Sequence, residues 1–135
     1  MKDKLITIVA WVGISIVLAT SCVKSSPEEQ AALAAKEYYE CLLKGDADGL
    51  VSAKADADSL PDSYRRMLVM AYRQYLSDIN SKHGGLHAIA VSENVARRDS
   101  TKGVTYAFLL LSFNDSTREE ISVPMVEQDG RWYVK

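Results

Sequence analysis

Cysteine is scarce in this chain: two in 135 residues, at positions 22 and 41. That excludes a disulfide framework as the source of stability. Histidine is as scarce. His83 and His87 are four apart, and Gly84-Gly85 between them breaks any helix that would present both. No Cys or well-placed acid completes a ligand set, so neither a metal nor another cofactor is expected. Neither sign of charge dominates, with 16 Lys and Arg against 18 Asp and Glu. No basic footprint for nucleic acid results. The apolar run Leu5–Thr20 is sixteen residues long, short of the roughly 20 that a spanning helix needs. Phosphate loops, nucleotide fingerprints, Ser–His–Asp sets, internal repeats and low-complexity stretches are missing as well. What is present, 47% hydrophobic and 25% charged residues, belongs to a folded chain of one domain.

The N-terminus reads as an address. Met1-Lys2-Asp3-Lys4 precedes the apolar run, and Ala19-Thr20-Ser21-Cys22 closes it with small residues leading into a Cys. This resembles the lipobox of bacterial lipoproteins. Ala19 stands where most lipoboxes carry Leu, a looser form familiar from Bacteroidetes. The resemblance implies a diacylglyceryl group on Cys22, removal of residues 1–21 as a signal peptide, and a membrane anchor. An uncleaved anchor and a soluble chain with an unmodified Cys22 are the alternatives. Residues 22–27 are a short polar tether without the acidic run of some surface-exported lipoproteins, so the expected location is the cell envelope, lipid-anchored and facing the periplasm. Cys41, beside Leu42 and Leu43, is expected to be a buried and inert thiol.

Ser26-Pro27-Glu28-Glu29 spells a helix start: a cap, a proline suited to the first turn, and acids facing the positive end of the dipole. From Glu28 to Leu43, Ala31, Ala35, Tyr38, Tyr39 and Leu42 recur at helical spacing, and Lys44-Gly45 stops the run. Asp46-Ala47-Asp48-Gly49 begins like a calcium loop but lacks its closing Glu. Asp46 or Asp48 is instead read as the cap of a short helix over Leu50–Ala55. A longer helix is predicted from Tyr64 to about Ser81. Its apolar face is Tyr64, Leu68, Ala71, Tyr75 and Ile79, with Met67 and Tyr72 at the edges.

After Gly84-Gly85 the apolar period changes to two. Leu86–Ala96 alternates, with His87, Ile89, Val91 and Val95 on one face, and Arg97–Lys102 reads as a charged turn. Val104–Phe113 is apolar on both faces, as a central strand would be. Glu119–Val126 alternates, with Ile121, Val123 and Met125 inward. Asp129-Gly130 is a hairpin signal before a last strand, Arg131–Lys135. The fold class is α+β: three N-terminal helices packed on a curved, cone-like, four-stranded antiparallel sheet over residues 28–135.

Two motifs then carry a resemblance. They are Leu43-Lys44-Gly45-Asp46-Ala47-Asp48-Gly49-Leu50 and Val126-Glu127-Gln128-Asp129-Gly130-Arg131-Trp132-Tyr133-Val134. Behind a lipobox and at opposite ends of a domain this long, they resemble the nuclear-transport-factor-2-like (cystatin-like) superfamily, including its small bacterial lipoproteins. That resemblance implies a conical cavity between helices and sheet. Enzymatic members, such as ketosteroid isomerase and scytalone dehydratase, need a buried acid. Nearly every acid of this chain falls at a helix start, a turn or a solvent face. Glu93 and Glu119 lie near strand ends.

The expected role is therefore non-enzymatic: binding a small apolar ligand or a protein partner. A small isomerase- or dehydratase-like enzyme and a structural dimeric envelope module are the alternatives. Tyr39, Met67, Tyr72, Tyr75, Tyr106 and Trp132 are the candidate cavity residues. One face of Val104–Phe113 packs on the helices, and the other expects either the curl of the sheet or a second copy, a homodimer through the sheet. Finally, Asp58-Ser59-Leu60, Asp99-Ser100-Thr101 and Asp115-Ser116-Thr117 resemble an O-glycosylation signal at Ser59, Ser100 and Ser116. Plain turn formation by Asp and Ser is the alternative.

Overall fold

The computed structural model describes residues 25–135. The signal segment and Cys22 lie outside the described residues. Ser26 starts the fold: its Oγ accepts from the Glu29 N–H at 3.2 Å, and helix α1 runs Pro27–Tyr39. A 3-10 turn over Glu40–Lys44 tightens the end, and Gly45 takes φ 71, which a side chain would resist. Helix α2 spans Ala47–Ser52. It begins at Ala47 rather than Leu50 because the Asp46 carboxylate accepts the Gly49 N–H at 2.9 Å and nucleates the turn there. A side chain at Gly49 would crowd this cap: a Cβ would sit 2.5 Å from the Asp46 carboxylate and 3.0 Å from Cys41 Sγ, and both side chains would have to move. Helix α3 spans Asp62–His83 and stops at Gly84 with φ 76. Among the described residues no helix is long and apolar enough to cross a membrane.

Strands β1 (Leu86–Asp99), β2 (Val104–Phe113), β3 (Arg118–Gln128) and β4 (Arg131–Val134) form one antiparallel sheet in sequence order. The segment read as a charged turn is partly strand, since Arg97, Arg98 and Asp99 pair with Tyr106, Thr105 and Val104. The turn itself is residues 100–103. Asp129-Gly130 makes the expected hairpin, with φ 53 and 79. β4 pairs only with Met125–Gln128, so the rest of β3 presents an edge without a strand partner among the described residues.

β1 carries a large bulge. Val91 faces Leu109 while Ala96 faces Ala107, leaving Ser92–Val95 as extra chain. Val95 sits at φ 56, a position that β-branched residues avoid. Its side chain packs on the core, whereas Ser92 Oγ and Asn94 Nδ2 donate to the Glu120 carboxylate at 2.8 and 3.0 Å. These donors hold the Glu120 carboxyl below its usual range. Glu120 pairs with Leu110 on the sheet face away from the helices, so the bulge curls β1 across β2 and closes part of that face.

The core is α1 against the sheet. Ala31, Ala32 and Ala35 are fully buried with Ala107, Leu109, Leu111, Val123 and Met125. Small residues on the helix let it approach large ones on the strands. Tyr38 Oη donates to the Trp132 carbonyl at 2.6 Å, which ties α1 to β4. The long helix departs from its predicted face. It packs at two separate places: Val69 joins Ala47 and Val51, and Ile79 joins the sheet core. No single stripe faces inward, and Tyr64 and Met67 are 42% and 57% exposed. Ala71, expected on the inward face, is exposed too, as is His87.

Candidate functional site

Three of the six cavity candidates converge. Tyr39 at the end of α1, Tyr72 and Tyr75 on α3, and Ile121 and Ser122 on the unpaired edge of β3 line an open cavity of about 310 Å³, with Ala71 also in its wall. Each position follows from its element. Tyr39 is the last residue of α1, Tyr72 and Tyr75 lie one turn apart, and Ile121 points to the core side beside Leu109. Burial pushes the Tyr39 hydroxyl well above the ordinary phenol range, and the adjacent Tyr72 adds to the shift. Burial likewise raises Tyr75, with Glu119 nearby contributing. Tyr39 and Tyr75 therefore stay neutral, each with a hydroxyl that can donate or accept one bond. The lining residues include no carboxylate. Such a wall offers apolar faces and a few hydroxyls.

The other three candidates lie elsewhere. Met67 is exposed on the solvent side of α3. Tyr106 faces away from the helices, 5.9 Å from the Arg97 guanidinium. Trp132 packs against the main core beside Val134, and its indole Nε1 is buried without a hydrogen-bond partner. Ile121 and Ser122 were not among the candidates. They line the site because β4 pairs only with Met125–Gln128 and leaves that edge open.

A second hollow of about 440 Å³ lies at the β2–β3 turn, among His87, Ser112, Phe113, Asn114, Ser116, Thr117 and Arg118. It borders a clamp on the end of α3. The His83 ring stacks on Phe113 at 4.2 Å, His83 Nδ1 meets Asp115 Oδ2 at 2.8 Å, and Asn114 Nδ2 donates to the Gly84 carbonyl at 2.8 Å. The Thr117 hydroxyl and then His83 hold the Asp115 carboxyl down from 3.8 to about 2. A depressed carboxyl contributes stability that is full above pH 3.8 and lost as pH falls through about 2. Asp115→Asn should therefore be less stable than wild type above pH 3.8. The gap should close between those two values in denaturant titrations. Parallel curves throughout the acid range would contradict this role for the clamp.

Ser59, Ser100 and Ser116 are all exposed. Asp99 Oδ1 accepts from the N–H groups of Thr101 and Lys102 at 3.1 and 3.3 Å, and Asp115 Oδ1 accepts from the Thr117 N–H at 3.0 Å. Asp99 and Asp115 thus make the backbone bonds by which Asp forms turns. Cys41 is half-buried rather than buried, and burial followed by Asp46 raises its thiol, which leaves it a poor nucleophile.

No protein-family model matches this sequence, and no curated protein matches it. A crystal structure at 2.00 Å of a candidate NTF2-like transpeptidase from Campylobacter jejuni is similar, with TM-score 0.56 and 19% identity over 82% of this chain and 97% of that one. At that identity the likeness speaks for architecture alone. Helices on a curved four-stranded antiparallel sheet, superposable on that neighbour over most of both chains, show that this chain has the nuclear-transport-factor-2-like fold.

Proposed function

We propose that this chain is a lipid-anchored periplasmic domain that binds a small apolar ligand between α1, α3 and the open edge of β3. The observation that carries the reading is the convergence of Tyr39, Tyr72 and Tyr75 with Ile121 on one cavity whose lining holds no carboxylate. The lipid anchor rests on the lipobox-like Ala19-Thr20-Ser21-Cys22. A second reading, a homodimer through the sheet, is favoured by one feature. Tyr106, Phe108 and Leu110 stay half-exposed on the face of β2 turned from the helices, where the Ser92–Val95 bulge covers only part of the surface.

Titration of the full chain in neutral detergent micelles with 1-naphthol, a small neutral aromatic, tests the ligand site. Ring resonances of Tyr39, Tyr72 and Tyr75 should shift and saturate together. Those of Tyr106 and Tyr133, on the other face of the sheet, should stay in place. Shifts shared evenly among all the tyrosines, or none, would contradict the site.

A further inference from the structure

The other flank of α3 carries a groove that the ligand cavity does not use. It encloses about 340 Å³ between α2 and the first half of α3, and its lining is Asp48, Arg65, Arg66, Val69, Met70 and Arg73. The groove and the tyrosine cavity share no residue. Arg66, Val69, Met70 and Arg73 stand at i, i+3, i+4 and i+7, one stripe of a helix. Such a stripe is normally apolar and covered. Here a guanidinium marks each end, and Met70 between them is 67% exposed. Three of the chain's seven arginines meet in this place, although the net charge of the chain is −2.

Their partners compensate the charge only in part. The Arg65 guanidinium is fixed by Ser52 Oγ at 2.5 Å and the Ala57 carbonyl at 3.5 Å, both neutral. Arg73 meets Asp48 at a loose 3.7 Å, with side chains 64% and 65% exposed, a pair that contributes little. Arg66 takes no part in the ion pairs found among the described residues. No lysine lines the groove. Planar guanidiniums rather than ammonium groups are the side chains that grip phosphate oxygens two at a time. The apolar part of the lining, Val69 and Met70, sits between them.

We propose that this groove binds a phosphate monoester that carries an apolar group. The phosphate is held by Arg65, Arg66 and Arg73, with Arg65 pre-oriented by Ser52 and Asp48 releasing Arg73 as the anion enters. The apolar part lies on Val69 and Met70. A phosphorylated amphiphile and free phosphate share the head chemistry, and two probes tell them apart. The full chain in neutral detergent micelles is titrated with inorganic phosphate and, separately, with dihexanoyl phosphatidic acid. Dihexanoyl phosphatidylcholine, whose phosphate is capped, is the control.

The readout is the side-chain Nε–Hε resonances of the seven arginines. Arg65, Arg66 and Arg73 should shift with phosphatidic acid at concentrations well below those needed for inorganic phosphate. Arg118, at the far turn, should stay in place, and phosphatidylcholine should be silent. Arg66→Gln with Arg73→Gln should weaken binding by about tenfold or more, followed at Arg65, while leaving the thermal midpoint unchanged because both side chains are exposed. Equal affinity for the two phosphates would overturn the apolar half of the proposal. Absence of saturable shifts, or binding unmoved by the double variant, would overturn the whole. The naphthol titration reads different residues, so the two sites fail or stand separately.

Discussion

Leu109→Ala should destabilise the domain by about 3 kcal/mol, while Met67→Ala should stay within about 0.5 kcal/mol of wild type. Leu109 is fully buried at the centre of β2, between Val91 of β1 and Ile121 of β3 and over the alanine face of α1. Truncation there removes buried methyl groups and leaves a cavity that a close-packed sheet cannot collapse into. Met67, by contrast, is 57% exposed. The spacing of apolar residues in the sequence places Met67 at the edge of the cavity, so the two readings diverge sharply at this residue. Chemical denaturation of the two variants side by side decides between them. A cost at Met67 comparable to that at Leu109 would mean that α3 turns a different face to the core.

Cys22→Ala should change the mature protein in an all-or-none way. Wild type made in its own host should begin at Cys22 and carry diacylglycerol on the sulfur. The variant should keep residues 1–21 and carry no lipid. Each buried CH₂ of an acyl chain contributes about 0.8 kcal/mol to membrane attachment, so two or more chains on Cys22 would be enough to hold the domain on a membrane. Intact mass measures both features at once. A mature chain of unmodified mass would remove the anchor from the proposed function.

Much of the fold is legible in the sequence because local and tertiary preferences agree. Ser26-Pro27, Gly45 and Asp129-Gly130 each act as their backbone chemistry dictates. β2 matches the apolar run Val104–Phe113 end to end, since turn residues at Gly103 and Asn114 bound an unbroken apolar run. What was not legible arises where two elements compete. α3 serves two clusters, around Val69 and around Ile79, so its inward face rotates along its length and a single stripe misplaces Tyr64, Met67 and Ala71. Arg97–Asp99 read as a turn because an edge strand tolerates charge that a central one would not. The bulge at Ser92–Val95 has no glycine to announce it, and Val95 is held at positive φ by its own packing and by the bonds from Ser92 and Asn94 to Glu120.

The candidate site shows the same division. Tyr39, Tyr72 and Tyr75 were recoverable because helical spacing fixes where they point. Ile121 and Ser122 need the pairing of β4 as well, because their exposure to the cavity depends on where it ends. Tyr106 lies on the face of β2 opposite the buried set, and the sequence alone does not say which face of a doubly apolar strand meets the helices.

The most direct test of the ligand-binding claim is native mass spectrometry of the acylated protein from its own host, compared with Ala71→Trp. Ala71 is exposed in the wall of the tyrosine cavity, so an indole there fills the space without disturbing the core. Wild type is expected to retain a small non-covalent adduct that the variant lacks, and any dimer through the sheet should survive in both. An identical adduct pattern in the two proteins, or wild type free of any adduct, would contradict binding between α1, α3 and the edge of β3.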